Sequence, residues 1–208
     1  MMFDISLVFI CLFVHEIAGH GMMLDPPNRS SIWRYNSSAI PNYNDNENFC
    51  GGFMVQYEQN EGKCGICGDS YADPHPQKNE NTGEYGQGII GGIYEAGSVI
   101  DISILLTANH LGEFTYSICE LKDPNAPESG EECFTPLLFE DGSERYIVHE
   151  DDYEIHNRIQ LPDSPCERCV LRWTYKCGNN WGVCDDLIWR PGCGPQEHFR
   201  SCSDIVIQ

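Results

Sequence analysis

The apolar leader ends in Ile17-Ala18-Gly19-His20-Gly21, with a histidine at a candidate cleavage position. A cut after Gly19 makes His20 the first residue, with two nitrogen donors on one residue: the α-amino group and a ring nitrogen. Together these can chelate one metal ion. One further histidine completes a three-nitrogen, T-shaped set, and tetragonal nitrogen coordination of that kind suits copper(II). The chemistry then depends on a second histidine held by a rigid element.

Seven histidines occur, at positions 15, 20, 75, 110, 149, 156 and 198, and His15 leaves with the leader. His110 closes the run Leu106-Thr107-Ala108-Asn109-His110, just before Leu111-Gly112, which reads as a turn. A ligand there sits on a rigid strand end within reach of solvent, as a metal site requires. A lone histidine at a strand end is more often structural than a ligand, so the position alone does not decide. His75, in Asp73-Pro74-His75-Pro76, reads as an exposed loop, and His149 and His156 lie in acidic sequence that favours the surface. The pairs Cys64/Cys67 and Cys166/Cys169 have zinc half-site spacing, but in a cysteine-rich secreted chain disulfides are the stronger reading. There is no His-Glu-x-x-His and no Gly-x-Ser-x-Gly.

The elements that position these residues follow from composition and pattern. Residues 7–14 (LVFICLFV) are apolar over a signal-peptide length, short of the roughly 20 residues needed to span a bilayer. We therefore expect residues 1–19 to be a signal peptide and residues 20–208 to be one secreted domain. Of the 12 cysteines, Cys11 lies in the leader, so an odd number remains and one thiol is left over. The density implies a disulfide framework in an oxidising compartment, with connectivity open. Cys177, before Gly178-Asn179-Asn180-Trp181, is the suspected odd one. Asn28-Arg29-Ser30 and Asn36-Ser37-Ser38 are glycosylation sequons. The net charge of −20 opposes nucleic-acid and anionic-membrane binding, both of which rely on Lys and Arg, and is compatible with a neutral polymer.

Residues 20–98 are rich in Gly, Asn, Pro and Cys and read as loops and short strands pinned by Cys50, Cys64 and Cys67, with short helical turns. From Val99 the pattern changes. Residues 99–106 alternate at period two; residues 114–119, 153–161 and 169–175 are further strands. Several short strands, turn residues between them and no helical stripe predict an all-β, disulfide-rich antiparallel β-sandwich with long loops.

Six segments then resemble one family in order. They are His20-Gly21-Met22-Met23-Leu24-Asp25-Pro26-Pro27-Asn28-Arg29; Asn48-Phe49-Cys50-Gly51-Gly52; Gly62-Lys63-Cys64-Gly65-Ile66-Cys67-Gly68-Asp69; Thr107-Ala108-Asn109-His110; Asn179-Asn180-Trp181-Gly182; and Cys193-Gly194-Pro195-Gln196-Glu197. Their combination is similar to the lytic polysaccharide monooxygenases of the arthropod and eukaryotic type (auxiliary activity family fifteen, chitin-binding type-four superfamily). The resemblance implies an immunoglobulin-like sandwich with a flat face around a copper ion. His20 would bind through its amino and one ring nitrogen, and His110 through a ring nitrogen. It also implies an aromatic residue on the copper axis five positions before a near-C-terminal Asp; with Asp204 this is Phe199, which cannot ligate. Ala108 matches the small residue on the other axial side, and Glu197 the place of a group steering oxygen or peroxide.

The implied function is oxidative cleavage of glycosidic bonds in crystalline chitin or cellulose. The implied partners are an insoluble polysaccharide and an external electron donor, with a monomeric chain and no nucleic acid or membrane. A non-catalytic chitin-binding or cuticle-associated protein of the same fold is the rival reading, and retention of both His20 and His110 argues against it. A secreted zinc hydrolase is a third class, disfavoured by the missing motifs.

Overall fold

A computed structural model describes residues 20–208; the leader expected over residues 1–19 lies outside the described residues. The strongest alternation in the sequence becomes β3 (Val99–Ala108), whose Ile100, Ile102, Ile104 and Leu106 are buried on one face. β-Branched side chains at every second position fit a half-buried pleated strand. β3 is the middle strand of a three-stranded antiparallel sheet, between β1 (His20–Asp25) and β7 (Glu154–Gln160).

The facing sheet has the order β2 (Gly92–Tyr94), β11 (His198–Ile207), β8 (Cys166–Lys176), β4 (Glu113–Glu120), β5 (Thr135–Leu137), with β6 (Tyr146–Ile147) also paired to β4. Every pairing in it is antiparallel except β2 on β11, which is parallel. A separate hairpin joins β9 (Trp181–Val183) to β10 (Trp189–Pro191). The β-sandwich expected from the sequence is the architecture found, with 3-10 turns at Ile32–Arg34 and Glu131–Cys133 and one π turn at Val55–Gln59. Among the described residues no helix is long and apolar enough to cross a membrane.

Aromatic rings fill the space between the sheets. Phe114 meets Trp173 and Tyr175 edge-on at 5.0 Å each, and Phe199 lies 5.9 Å from Tyr175. The outer face of β11 is also covered. The loops of the first third of the domain lie on it through Cys67–Cys202, through Arg29 on Asp204, and through the Ser203 hydroxyl donating to the Pro26 and Pro27 carbonyls. Burial on both sides gives β11 a nearly continuous buried run, which explains why no alternation marked it as a strand.

The bridges are Cys50–Cys64, Cys67–Cys202, Cys119–Cys133, Cys166–Cys169 and Cys184–Cys193. Cys177 is the free thiol, as suspected, and it is buried. Bridges are worth about 2–4 kcal/mol each; Cys67–Cys202, spanning 135 residues, closes the longest loop. One expectation changes. Asn28 is fully buried: its amide donates to the Met23 carbonyl at 2.7 Å and its Oδ1 accepts the Ser30 N–H at 2.8 Å and the Ser31 N–H at 3.1 Å. It serves as a loop brace, and its sequon is inaccessible in the folded chain.

Candidate metal centre

β1 is short and on the edge of its sheet, so its first residue lies at the rim. The register sets His20 opposite Ala108, two residues before His110, and a bulge between His20 and Gly21 shifts the ladder there. The backbone at this corner is fixed from several sides. Gly21 N–H donates to the Asn46 carbonyl at 3.1 Å, and Asn46 Nδ2 donates to Thr107 Oγ1 at 2.9 Å. Gly21 has a packing reason to lack a side chain: a Cβ there would stand 2.8 Å from Leu106 Cδ2 and 3.1 Å from the Trp173 ring.

His110 follows β3 and precedes the turn at Leu111 and Gly112, both with positive φ (55° and 96°). At Gly112 a Cβ would fall 2.0 Å from the Lys176 carbonyl, so the turn requires glycine. The His110 backbone is tied to the facing sheet: its N–H donates to the Tyr175 hydroxyl at 2.9 Å, and its carbonyl accepts from Gly178 N–H at 2.9 Å. The strand-end reading placed His110 within reach of solvent, yet it is only 7% exposed. Burial, then the charge of His20, lower its pKa and hold the ring in the neutral form a metal ligand needs.

Each histidine has one ring nitrogen occupied. His20 Nε2 faces Glu47 Oε1 at 3.5 Å, which leaves Nδ1 as its other ring nitrogen. Nδ1 is the nitrogen that can close a six-membered chelate with the α-amino group. His110 Nδ1 lies 2.9 Å from the Asn179 side-chain amide. The Asn179 atom that faces it is Nδ2, which donates, so Nδ1 accepts here; a metal on Nε2 would require the amide to turn its oxygen to a protonated Nδ1. Such outer partners set tautomer and ring direction in metal-bound histidines. The donor set therefore fits a copper ion, on condition that Gly19 is removed to free the amino group.

The remaining expected residues lie on or beside β11. Phe199 is fully buried, opposite Tyr175 on β8 and 6.1 Å from Phe49. Glu197 is buried, and its carboxylate lies with Cys177 Sγ and a ring nitrogen of His110 in one group, all within 4.8 Å of one another. Burial, then the Glu197 charge, push the Cys177 thiol well above its usual pKa. Sequence reasoning assigned no role to Glu47, Tyr175 or Asn179. Only Asn179 carried a signal, as part of the Asn179-Asn180-Trp181-Gly182 segment. The other histidines stay apart from the site: His75 pairs with Glu80, His156 is exposed beside Glu154, and His198 is held by Gln56.

The family of lytic polysaccharide mono-oxygenases, described as cellulose-degrading, matches residues 20–205. The chain belongs to the lytic polysaccharide monooxygenases. A lytic polysaccharide monooxygenase of the AA15 type from Thermobia domestica, solved in its Cu(I) state, is 42% identical. The match covers 90% of this chain and 98% of that one, with a TM-score of 0.87. The copper complex of the cellulose-active lytic polysaccharide monooxygenase CelS2 (14% identity, TM-score 0.46; 90% and 98% covered) and LPMO10B from Micromonospora aurantiaca (13%, 0.43; 90% and 99%) are more distant. No curated protein sequence matches the chain. As a lytic polysaccharide monooxygenase of the AA15 type, this is a copper-dependent oxidoreductase acting on polysaccharide, which the family match and the Thermobia relative support together.

Proposed function

We propose that His20 and His110 hold the copper ion of a secreted enzyme that oxidatively cleaves crystalline chitin or cellulose. The observation that carries this is the β1–β3 register, which brings the first residue after the leader alongside the end of the strand leading to His110. Residues 1–19 are then the signal peptide, whose removal frees the His20 amino group, and residues 20–208 act as one monomeric domain. Bound copper supplies activation of dioxygen or peroxide, which ends in hydroxylation of a carbon at the glycosidic bond, with electrons from an external reductant. The chain's own residues set the conditions. Glu47 faces the His20 Nε2 and the Asn179 amide lies on the His110 Nδ1, and Phe199 would offer the ion a ring that cannot ligate. Glu197 is a buried carboxylate on the same side, suited to hold a proton beside the site.

The surface near the site supports a flat polysaccharide partner. Asn179 leads directly into the β9–β10 hairpin, where Trp181 and Trp189 stack at 6.5 Å and are 59% and 61% exposed. Cys184–Cys193 closes this hairpin, and Gln196 clamps its base, accepting Asn180 N–H and donating to the Asn180 and Cys193 carbonyls. Paired exposed indoles are platforms for the apolar faces of sugars and are suited to a solid chain surface. The deciding experiment is N-terminal mass determination of the secreted protein, followed by incubation with chitin and with cellulose plus reductant. Oxidised chain ends are expected; unmodified hydrolytic products, or a mature start other than His20, would overturn the proposal.

A further inference from the structure

Three consecutive residues of one turn engage three different places. The turn is closed by Glu47 N–H donating to the Asn44 carbonyl at 3.1 Å. Glu47 Oε1 faces His20 Nε2 at 3.5 Å, and Asn46 holds β1 and β3 through Gly21 N–H and Thr107 Oγ1. Asp45 engages neither strand. It is 1% exposed; its Oδ2 accepts the Trp33 indole N–H at 3.1 Å and Arg34 Nε–H at 2.6 Å, and its Oδ1 accepts from Arg34 Nη2 at 2.9 Å. Trp33 meets Tyr43 edge-on at 5.2 Å, and the Arg34 guanidinium lies 5.3 Å from the Trp33 ring centre. Tyr43 is 81% exposed, so a buried carboxylate anchors an aromatic cluster that is open to solvent. The His110 side has the same pairing of parts, because Asn179 lies on the His110 ring and leads into Trp181 and Trp189. Each histidine is thus joined, through a few residues of chain, to its own exposed aromatic pair.

We propose that Asp45 is a positioning residue: it holds Trp33 and Tyr43 as a second contact for the polysaccharide and ties their placement to the His20 corner of the metal centre. The inference rests on the copper and polysaccharide reading above. The first part of the argument is rigidity. An indole carried on a loop has rotamer freedom to lose when a sugar settles on it, and Asp45 has fixed the ring beforehand. The Arg34 fork on the same carboxylate is charge-assisted in both its bonds, and a carboxylate this buried is sustained only by such partners. The second part is connectivity. Asp45 is one peptide unit from the Asn46 carbonyl that accepts Gly21 N–H, and two residues from the carboxylate facing His20. A displacement of the rings therefore reaches β1 through the backbone of a single closed turn. Asparagine cannot replace Asp45 here, since its amide group would set two more donors against the Arg34 donors.

The test compares the mature wild type with Asp45→Asn and Trp33→Phe, each loaded with copper and checked for folding by thermal melt. Trp33→Phe keeps an aromatic ring and the Arg34–Asp45 fork and removes the indole N–H, so it reports on the link even if Asp45→Asn does not fold. Binding to crystalline chitin and to cellulose is measured by pull-down, and the Cu(II) resonance signal is recorded with and without saturating polysaccharide. The wild-type signal should shift when polysaccharide is seated. Asp45→Asn should bind about tenfold more weakly, the equivalent of one charge-assisted hydrogen bond. Trp33→Phe should bind several-fold more weakly, and both variants should show a smaller shift at saturation. A lower melting temperature with wild-type binding and a wild-type shift would make Asp45 a purely structural residue and overturn the proposal. Weakened binding with an undiminished shift would overturn the tie to His20, as would a wild type that binds polysaccharide with no shift at all. Wild type that takes up no copper, or that releases only hydrolytic products, would instead sink the copper reading beneath it.

Discussion

Arg29 forks onto Asp204 across 175 positions of sequence, its Nε 2.9 Å from Oδ2 and its Nη2 2.8 Å from Oδ1. Nη1 reaches Glu128 at 2.7 Å and the Asn79 carbonyl at 2.9 Å, and all three charged side chains are buried. Burial is the largest single effect and lowers the guanidinium pKa, but Asp204 and Glu128 together outweigh it and raise it. This pins the loop after β1 to β11. Arg29→Met should lower unfolding free energy by about 3–5 kcal/mol, because two buried carboxylates lose their partner. Denaturant titration of the purified variant checks this, and a loss under about 1 kcal/mol would show that the network adds little.

His110→Ala should abolish tight copper binding and oxidative cleavage while the sandwich persists. Because His110 is buried, truncation also leaves the Asn179 amide short of a partner, at a cost of roughly 1–3 kcal/mol. Placing one residue ahead of His20 should remove copper with no stability change, since the amine becomes an amide. Calorimetric copper titration and thermal melts on the two variants separate ligand loss from unfolding.

Phe199→Tyr adds a hydroxyl where a fully buried ring packs against Tyr175 and Phe49. If the ring lies on the copper axis, the Cu(II) spectrum changes and some activity is retained. An unaltered spectrum would place Phe199 away from the metal.

His198 titrates at about 4, lowered first by burial and then by Arg200 and Lys176, against an ordinary value near 6.5. The folded state therefore favours the neutral ring. Unfolded chain takes up a proton below pH 6.5 that the native state refuses, so stability is complete above that pH and falls between about pH 6.5 and 4. The full effect is of order 3 kcal/mol. His198→Gln should flatten this part of the stability-against-pH profile measured by urea unfolding.

Asn36 is the sequon to carry a glycan. It is half-buried in a turn beside exposed Ser37 and Ser38, whereas Asn28 is enclosed. Glycopeptide mapping of secreted protein should find sugar at Asn36 alone.

Much of this was legible before the structure. Period-two alternation announced β3, and residues 114–119 and 153–161 read as strands in the places of β4 and β7; each of the three buries one face and wets the other. The leader boundary and the chelating chemistry of an N-terminal histidine singled out His20, and the odd cysteine count anticipated a free thiol. Long-range relations were not legible. Nothing in the sequence pairs Cys67 with Cys202, and the neighbouring Cys64 bonds Cys50 instead. β11 was hidden because loops cover its second face. Glu47 and Tyr175 have no local signature at all; only the folded register brings them to His20 and His110.

The two candidate ligands and the groups around them belong to different sheets. His20 begins β1 and His110 follows β3, neighbouring strands of the three-stranded sheet, whereas Tyr175, Cys177, Glu197 and Phe199 lie on or beside β8 and β11 of the other. The layers are nevertheless latched at this corner, because the His110 N–H donates to the Tyr175 hydroxyl and its carbonyl accepts the Gly178 N–H. Repacking Phe114 or Trp173 between the sheets would therefore shift the spacing of the two histidines together with the groups around them.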